Sequence, residues 1–315
     1  MSNGILGIHH VTAIAGSPQR NIDFYPGLLG LRLVKVTVNF DDPSAYHLYY
    51  GDESGQPGTI LTFFTWPSAP QGKLGTGQLT VTSFAIPLNG IQFWTELFKS
   101  RGVEYSGPKD RFGEEKVLSF SDPDGLQLEL VATDTIRNAK AWKQGPIPEE
   151  YAIRGFFGVT LSEQSHAVTE ELLAQLGFHQ ELQHENSYRF AIGGHGVGGV
   201  VDVLHLPTTQ RGQIAVGTVH HVAWRTPDDE EQKNWRTKLL EAGLKVTPIM
   251  DRRYFHSIYF REPGGVLFEI ATDPAGFAVD ESPERLGSEL KLPPWLESSR
   301  KEIAQALPPI QLPRR

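Results

Sequence analysis

The sequence predicts an α+β protein built from four βαβββ units arranged as two tandem pairs. Two repeats predict this fold. Residues 7–14 and 218–225 are alike, and each is a strand rich in β-branched residues around a His-His pair, followed by a helical pattern. Residues 121–130 and 261–270 are also alike, because in each a Pro/Gly turn leads into a strand that carries a Glu. A repeat of roughly 55 residues indicates a modular architecture.

Each unit is expected to contain a strand, a helix and then about three strands. The expected first strands and helices are residues 7–14 and 19–29, 79–86 and 91–101, and 155–161 and 165–176, with the fourth unit at 219–271 and its helix at 230–242. The later strands are expected at residues 46–50, 59–65, 116–120, 126–131, 188–191 and 199–204. Asp228 and Asp229 are expected to cap the helix of the fourth unit.

The domain boundaries follow from turn-forming residues. Residues 138–150 contain Gly145, Pro146 and Pro148 and are predicted to link an N-terminal pair of units (1–137) to a C-terminal pair (151–279). Residues 280–315 differ in pattern and are predicted to form a tail with one short helix at 300–307.

Composition narrows the functional classes. The 315-residue chain has no cysteine, so disulfides, thiolate metal sites and thiol nucleophiles are excluded, and any metal must be held by His, Asp or Glu. A net charge of -8 argues against nucleic-acid and anionic-membrane partners. The N-terminus has no signal-peptide pattern and no stretch is apolar enough to span a membrane, so we expect a cytoplasmic protein. The sequence leaves open whether it forms a homo-oligomer.

Candidate metal ligands lie on the first and fourth units. The first unit offers His9 or His10, and the fourth offers His220 or His221 together with Glu269. At the place in the first unit that corresponds to Glu269 stands Thr62, which is a poor ligand for a divalent metal. Two His and one carboxylate with open positions form the facial triad of non-haem iron(II) oxygenases. Strand alternation places adjacent residues on opposite faces, so the pattern alone does not decide which His of each pair binds.

Taken together, these features resemble the vicinal oxygen chelate superfamily, which includes glyoxalase I, extradiol dioxygenases and antibiotic-resistance proteins. The closer resemblance is to hydroquinone-cleaving dioxygenases of the para-hydroquinone 1,2-dioxygenase type, which serve aromatic degradation and quinone detoxification. Its features are the His9-His10 and His220-His221 pairs, the segments 252–259 and 265–269, and the motif Leu-Pro-Pro-Trp-Leu-Glu at 292–297. The resemblance covers nearly the whole chain and implies mixed, curved sheets that enclose a metal cavity.

The resemblance implies a site. It selects His10, His221 and Glu269 as the ligands of Fe(2+), with Mn(2+) as the second choice, and an aromatic diol and O2 as substrates. It places five residues around them with catalytic roles: His9, Thr12, His220, Arg252 and Tyr259. His220 or His9 would act as a base, Tyr259 or a His as a proton donor, and Arg252 would stabilise developing negative charge.

Other interpretations remain open at this stage. One is a glyoxalase-like isomerase or lyase, which would require a carboxylate at Thr62, and the other is a resistance-type binding protein without catalysis. Glu129 and Asp202 resemble Glu269 in position, but their units lack His, so the second and third units are expected to be structural. His256 is expected not to bind metal, and Arg252 cannot be separated from Arg253. The aromatic residues Phe40, Phe63, Phe64 and Trp66 are candidates for the pocket wall.

Overall fold

The computed structural model describes residues 4–113, 115–134, 140–193 and 197–313. Four βαβββ units follow one another along the chain, as the repeats predict. The first and second are β1 (Ile8–Ala15), α1 (Pro18–Phe24), β2 (Arg32–Asn39), β3 (Asp42–Gly51) and β4 (Ile60–Thr65), then β5 (Gln78–Ile86), α2 (Gly90–Arg101), β6 (Tyr105–Arg111), β7 (Glu115–Ser121) and β8 (Gln127–Ala132).

The third and fourth units repeat this order. They are β9 (Phe156–Glu163), α3 (Ala167–Leu176), β10 (His179–His184), β11 (Ser187–Ala191) and β12 (Val200–His205), then β13 (Val219–Thr226), α4 (Asp229–Glu241), β14 (Met250–Asp251), β15 (Phe255–Arg261) and β16 (Leu267–Ala275). The tail contains short 3-10 turns at Phe277–Val279, Pro283–Arg285 and Pro294–Ser299 and a final helix, α5 (Arg300–Ala306).

Hydrogen bonding joins the units differently from their order along the chain. One eight-stranded sheet has the order β14-β15-β16-β13-β1-β4-β3-β2 and combines the fourth unit with the first. The other has the order β10-β11-β12-β9-β5-β8-β7-β6 and combines the third with the second. In every unit the first strand runs parallel to the last, while the two first strands of each sheet meet antiparallel. The first strands of the first and fourth units therefore lie side by side.

Local sequence explains several element boundaries. The helix α1 ends at Phe24 and not at residue 29 as the pattern predicts, because Pro26 has no amide hydrogen with which to continue the helical hydrogen bonds. The predicted cap of α4 is confirmed, since the Asp228 carboxylate accepts a hydrogen bond from the Glu231 amide at 2.9 Å. Gly125 and Gly265 have φ of +91° and +119° in the two matching turns, which explains glycine at both places.

The predicted domain boundaries stay predictions, and residues 138 and 139 of the predicted linker lie outside the described residues. Each sheet draws strands from both sides of this predicted linker. The tail packs back on the first unit: the fully buried ammonium of Lys35 on β2 pairs with Asp280 at 2.5 Å and with Glu281. No helix in the described part of the chain is long and apolar enough to cross a membrane.

Candidate metal centre

The two His-His pairs sit at irregularities of the strand pair that joins the first and fourth units. In the antiparallel pairing of β1 with β13, the register shifts between Ile8 and His10 and again opposite Thr12 and Ala13, where His220 is the additional residue. A β-bulge adds one residue and re-aims the side chains around it. The Nδ1 atoms of the two adjacent histidines in each pair therefore meet, which strict alternation would not allow.

Three buried side chains converge between these strands. His10 Nε2 lies 3.3 Å from His221 Nε2 and 3.3 Å from Glu269 Oε2, and His221 Nε2 lies 2.9 Å from the same oxygen. Their exposed fractions are 2%, 4% and 0%. Among the described residues, this is the one cluster of three or more His, Cys, Asp or Glu whose ligand atoms approach closely enough to hold a metal ion.

The arrangement of the donor atoms fits a divalent cation. Glu269 Oε2 is buried and makes no hydrogen bond of acceptable geometry, although two imidazole nitrogens approach it. A bond length of about 2.1 Å to imidazole nitrogen or carboxylate oxygen gives donor-to-donor edges of about 3 Å on one face of an octahedron. The observed edges match that spacing. The three donor atoms therefore suit a cation bound on one side by protein.

Each candidate ligand is held by a neighbour at its other polar atom. His9 Nδ1 lies 2.9 Å from His10 Nδ1, and His220 Nδ1 lies 2.7 Å from His221 Nδ1. The Ser257 hydroxyl donates to Glu269 Oε1 at 2.5 Å. Partners of this kind fix the orientation and tautomer of metal-binding side chains. With Nε2 of His10 and His221 directed at the metal position, their protons lie on Nδ1 and are donated to His9 and His220.

Burial and the neighbouring charges both shift the pKa values of the triad and of His220. Burial acts to raise the pKa of Glu269, but His10 and His221 outweigh it and hold that pKa well below its usual range. Burial lowers the pKa of His221, against the opposing effect of Glu269. Burial, reinforced by His221, lowers the pKa of His220 to about 3. His220 is therefore neutral near pH 7.

In the first unit, Thr62 stands at the position that corresponds to Glu269, and its hydroxyl belongs to a chain of hydrogen-bonded side chains. Thr62, which pairs with Thr12 on the neighbouring strand, shares hydrogen bonds of 2.8 Å with Thr12 Oγ1 and with His47 Nε2. The other ring nitrogen of His47 bonds Tyr49 Oη at 2.8 Å. Burial lowers the pKa of His47 well below its usual range, so the ring is neutral. Thr12, which the resemblance places around the metal ligands, belongs to this chain of hydrogen bonds.

A cavity of about 370 Å³ opens beside His10 and His221. Its lining includes the predicted residues His220, Arg252 and Tyr259 and a set of aromatic side chains. Arg252 Nε donates to Tyr259 Oη at 3.1 Å, and its guanidinium lies over the Tyr259 ring at 5.2 Å. Burial and Glu269 raise the pKa of Tyr259, so the phenol keeps its proton. The aromatic lining consists of Phe40, His47, Tyr49, Phe64, Trp66 and Phe255.

Some expected residues lie elsewhere. His9 borders a separate cavity of about 280 Å³ behind His10 and does not line the cavity that His220 lines. Phe63 is fully buried and packs against Tyr25 in the core, so the proposed role in the pocket wall is wrong for this residue. Arg253 has φ of 70° and approaches Asp280 at 3.8 Å, which separates it from Arg252. His256 pairs with Asp229 at 2.6 Å, away from the triad.

Known proteins resemble this chain along nearly its whole length. A profile of the Glyoxalase/Bleomycin resistance protein/Dioxygenase superfamily matches residues 7–130 and 154–270. The chain belongs to this superfamily. It is 47% identical, over 99% of both chains, to "Putative ring-cleaving dioxygenase MhqO" of Bacillus subtilis strain 168. It is 37% identical, over 96% of this chain and 95% of the relative, to chlorohydroquinone/hydroquinone 1,2-dioxygenase of Sphingobium indicum.

Solved structures agree with the superfamily assignment. A "putative dioxygenase" from Bacillus subtilis is 45% identical and superposes with a TM-score of 0.94, covering 99% of this chain and 100% of that one. Glyoxalase I from Zea mays has a TM-score of 0.62 at 15% identity, covering 85% of this chain and 92% of that one, so it shares the superfamily fold.

The second sheet of this superfamily fold carries a counterpart of the triad without histidines. Glu129 pairs in register with Ser83, as Glu269 does with Ala223, but it binds the guanidinium of Arg111 at 2.8 Å. Asp202 binds Arg189 through two bonds of 2.7 Å. The positive charges that these carboxylates face are therefore supplied by the protein. The absence of a site in the second and third units stays a prediction.

The sequence reasoning missed His47, Tyr49 and Ser257. The register of the sheet shows why they matter, because Tyr49 pairs with Thr62 in the first unit as Tyr259 pairs with Glu269 in the fourth. His47 and Ser257 precede these tyrosines by two positions and each bonds the side chain at the ligand position, Thr62 or Glu269. An alignment of residues 45–50 with 255–260 is the signal that could have found them.

Proposed function

We propose that this protein is a ring-cleaving dioxygenase that binds one Fe(2+) at His10, His221 and Glu269 and opens hydroquinone- or catechol-type rings with both atoms of O2. Mn(2+) is the second candidate for the metal. The observation that carries the proposal is the convergence of three buried donor atoms within 3.3 Å of one another beside an aromatic-lined cavity. Two His and one carboxylate on one face are the ligand set of iron(II) oxygenases that bind substrate and O2 together.

The first-unit position opposite Glu269 distinguishes this proposal from its rivals. A glyoxalase-type isomerase needs a protein carboxylate there, by the resemblance described above, whereas Thr62 offers a hydroxyl already engaged by Thr12 and His47. A binding protein without catalysis needs no convergent buried triad. Names of the relatives point the same way, because they are ring-cleaving and hydroquinone dioxygenases. The cavity of about 370 Å³ suits a single substituted aromatic ring.

The residues around the cavity have distinct proposed roles. A bound metal would supply Lewis acidity toward a phenolic oxygen and open positions for O2. His220 accepts the Nδ1 proton of His221, so its own proton lies on Nε2, which makes no hydrogen bond with the described residues. His220 thereby offers a donor to a substrate oxygen, which replaces the role of base that the resemblance implies. Tyr259, held protonated, offers a second donor.

Arg252 is proposed to stabilise negative charge that develops on the substrate. Its guanidinium is fixed by Tyr259 at 3.1 Å and lies among the residues that line the cavity. A positioned cation in a partly desolvated site stabilises an anion more strongly than water does. His9 acts on His10 alone, as a positioning residue that fixes the ring tautomer, because it faces the other cavity.

Oxygen uptake tests the proposal. The protein is purified without oxygen, loaded with Fe(2+), and given air-saturated buffer with hydroquinone or, separately, with catechol. We expect O2 consumption with one O2 per ring opened, and loss of that consumption and of stoichiometric iron binding in His221→Ala and Glu269→Gln. His256→Ala and Glu129→Gln are the matched controls, because they change a non-ligating His and the counterpart carboxylate of the second sheet.

Full iron occupancy without O2 uptake on either substrate would refute the dioxygenase proposal and bring the isomerase forward. Iron binding that survives Glu269→Gln and His221→Ala would refute the ligand assignment. The cytoplasmic location stays a prediction, and so does the formation of a homo-oligomer, which the sequence leaves open.

A further inference from the structure

The mouth of the cavity is formed partly by the turn between β2 and β3. Asn39, Phe40 and Asp41 in this turn all line the cavity. The buried Asn39 side chain accepts a hydrogen bond from the Asp41 amide at 3.0 Å, which closes an Asx turn. Phe40 packs edge-to-face against Trp295 of the tail, with ring centres 5.6 Å apart. The turn is therefore held in place from both ends, and Asp41 has a defined position.

Asp41 reaches across the mouth to the opposite unit. Its Oδ2 accepts a hydrogen bond from Arg252 Nη1 at 3.1 Å, and Arg252 lies 211 positions further along the chain. Arg252 lies in the turn between β14 and β15 of the fourth unit, which corresponds to the turn between β2 and β3 of the first. The same separation of 211 positions relates His10 to His221. The Arg252 side chain is 19% exposed, whereas that of Asp41 is 66% exposed. Arg252 faces the cavity interior and Asp41 faces its entrance.

Charge is unevenly distributed over the cavity wall. Among the described residues that line it, Arg252 is the one Lys or Arg side chain and Asp41 the one carboxylate. The guanidinium is engaged at Nη1 by Asp41 and at Nε by Tyr259. A second carboxylate entering the cavity would meet Asp41 at the mouth and find one of the two Nη1 hydrogens of Arg252 already bonded. A neutral ring would meet neither obstacle.

We propose that Asp41 is a specificity-determining residue, which selects neutral aromatic diols over diols that carry a carboxylate. This inference rests on the proposed function and deepens it by naming the charge class of the substrate. Removal of the Asp41 charge frees one edge of the Arg252 guanidinium, and a substrate carboxylate can then take the place of Asp41. Arg–carboxylate hydrogen bonds are charge-assisted, so the exchange favours the anionic ligand.

The test compares two ligands of nearly equal shape, 2,5-dihydroxyphenylacetate and its neutral amide. Iron-loaded protein is titrated with each by calorimetry without oxygen, and KM is measured with each in air. For Asp41→Asn we expect Kd and KM for the carboxylate to fall roughly three- to fivefold, the upper part of the range of an exposed ion pair. The values for the amide should stay within about twofold. In wild-type protein, discrimination between the ligands should shrink as salt is raised.

Two variants control for net charge and for structure. Asp110→Asn removes a similarly exposed carboxylate that pairs with Lys116 at 2.9 Å on the other sheet, and it should leave the preference unchanged. Asp41→Glu keeps the charge and should keep the preference for the amide.

An equal change for both ligands in Asp41→Asn, or no change, would overturn the inference, because a merely structural role does not distinguish charge. Absence of hydroquinone turnover in wild-type protein would instead remove the proposed function. The anaerobic binding titration would still decide the role of Asp41 in that case.

Discussion

A buried carboxyl group that is not part of the metal triad makes the stability of the fold depend on pH. Glu163, the last residue of β9, is fully buried, and neither carboxyl oxygen has a hydrogen-bond partner of acceptable geometry. It faces Glu262, whose carboxylate accepts hydrogen bonds from the amides of Gly264 and Val266 at 2.8 Å and from Thr169 Oγ1 at 2.9 Å. Both carboxylate oxygens of Glu262 therefore accept hydrogen bonds, whereas those of Glu163 accept none, and Glu163 is the member of the pair whose pKa is raised.

The sign and size of the effect follow from this placement. Burial, with the charge of Glu262 adding to it and Arg211 opposing it, raises the pKa of Glu163 from 4.5 to about 8. Between these two values the unfolded chain releases a proton that the folded chain retains, so stability falls as pH rises. The free energy of unfolding falls by at most about 1.4 kcal/mol for each increase of one in pH, so the loss between about pH 5 and about pH 7.5 has an upper limit of about 3 kcal/mol.

Glu163→Gln should remove this dependence, because glutamine keeps the shape and the donor without ionising. Urea unfolding of metal-free wild-type and variant protein is measured at pH 5, 6, 7 and 8. We expect the variant to differ little at pH 5 and to be more stable than wild type by about 2–3 kcal/mol near pH 8. Glu171→Gln on the exposed face of α3 is the control. A difference between Glu163→Gln and wild type that is constant across pH would refute the reasoning.

Three further predictions concern the two sheets. Ser257→Ala should weaken metal binding roughly tenfold while the fold is kept, because Glu269 loses the hydroxyl that orients it; competitive metal titration measures this. Arg189→Met should destabilise the protein by about 3–5 kcal/mol in urea, because it leaves the Asp202 carboxylate buried without its cation, while iron stoichiometry stays at one. Thr62→Glu should retain iron but abolish O2 uptake, because a fourth protein ligand would take an open position; iron analysis and an oxygen electrode together test it.

The repeats in the sequence carry much of the fold and the core of the candidate site. The His-His pairs at 9–10 and 220–221 recur at equivalent places in the first and fourth units, and the structure brings the second His of each pair together with Glu269. The bulges that allow this are invisible to alternation, because they arise from the pairing of β1 with β13 across more than 200 residues. The resemblance supplied the choice of His that periodicity left open.

What the sequence could not provide is the pairing of whole units. Asp41 and Arg252 meet because the first unit shares a sheet with the fourth, and nothing in either segment records that partner. The same pairing of units explains why carboxylates at equivalent positions have different partners. Between the first and fourth units, Glu269 faces two imidazoles and has an oxygen without a hydrogen bond, whereas between the second and third units, Glu129 and Asp202 are closed by guanidinium groups. One sheet thus has its own cations in place and the other leaves a carboxylate that requires one, which is why the chemistry is expected on only one of the two sheets.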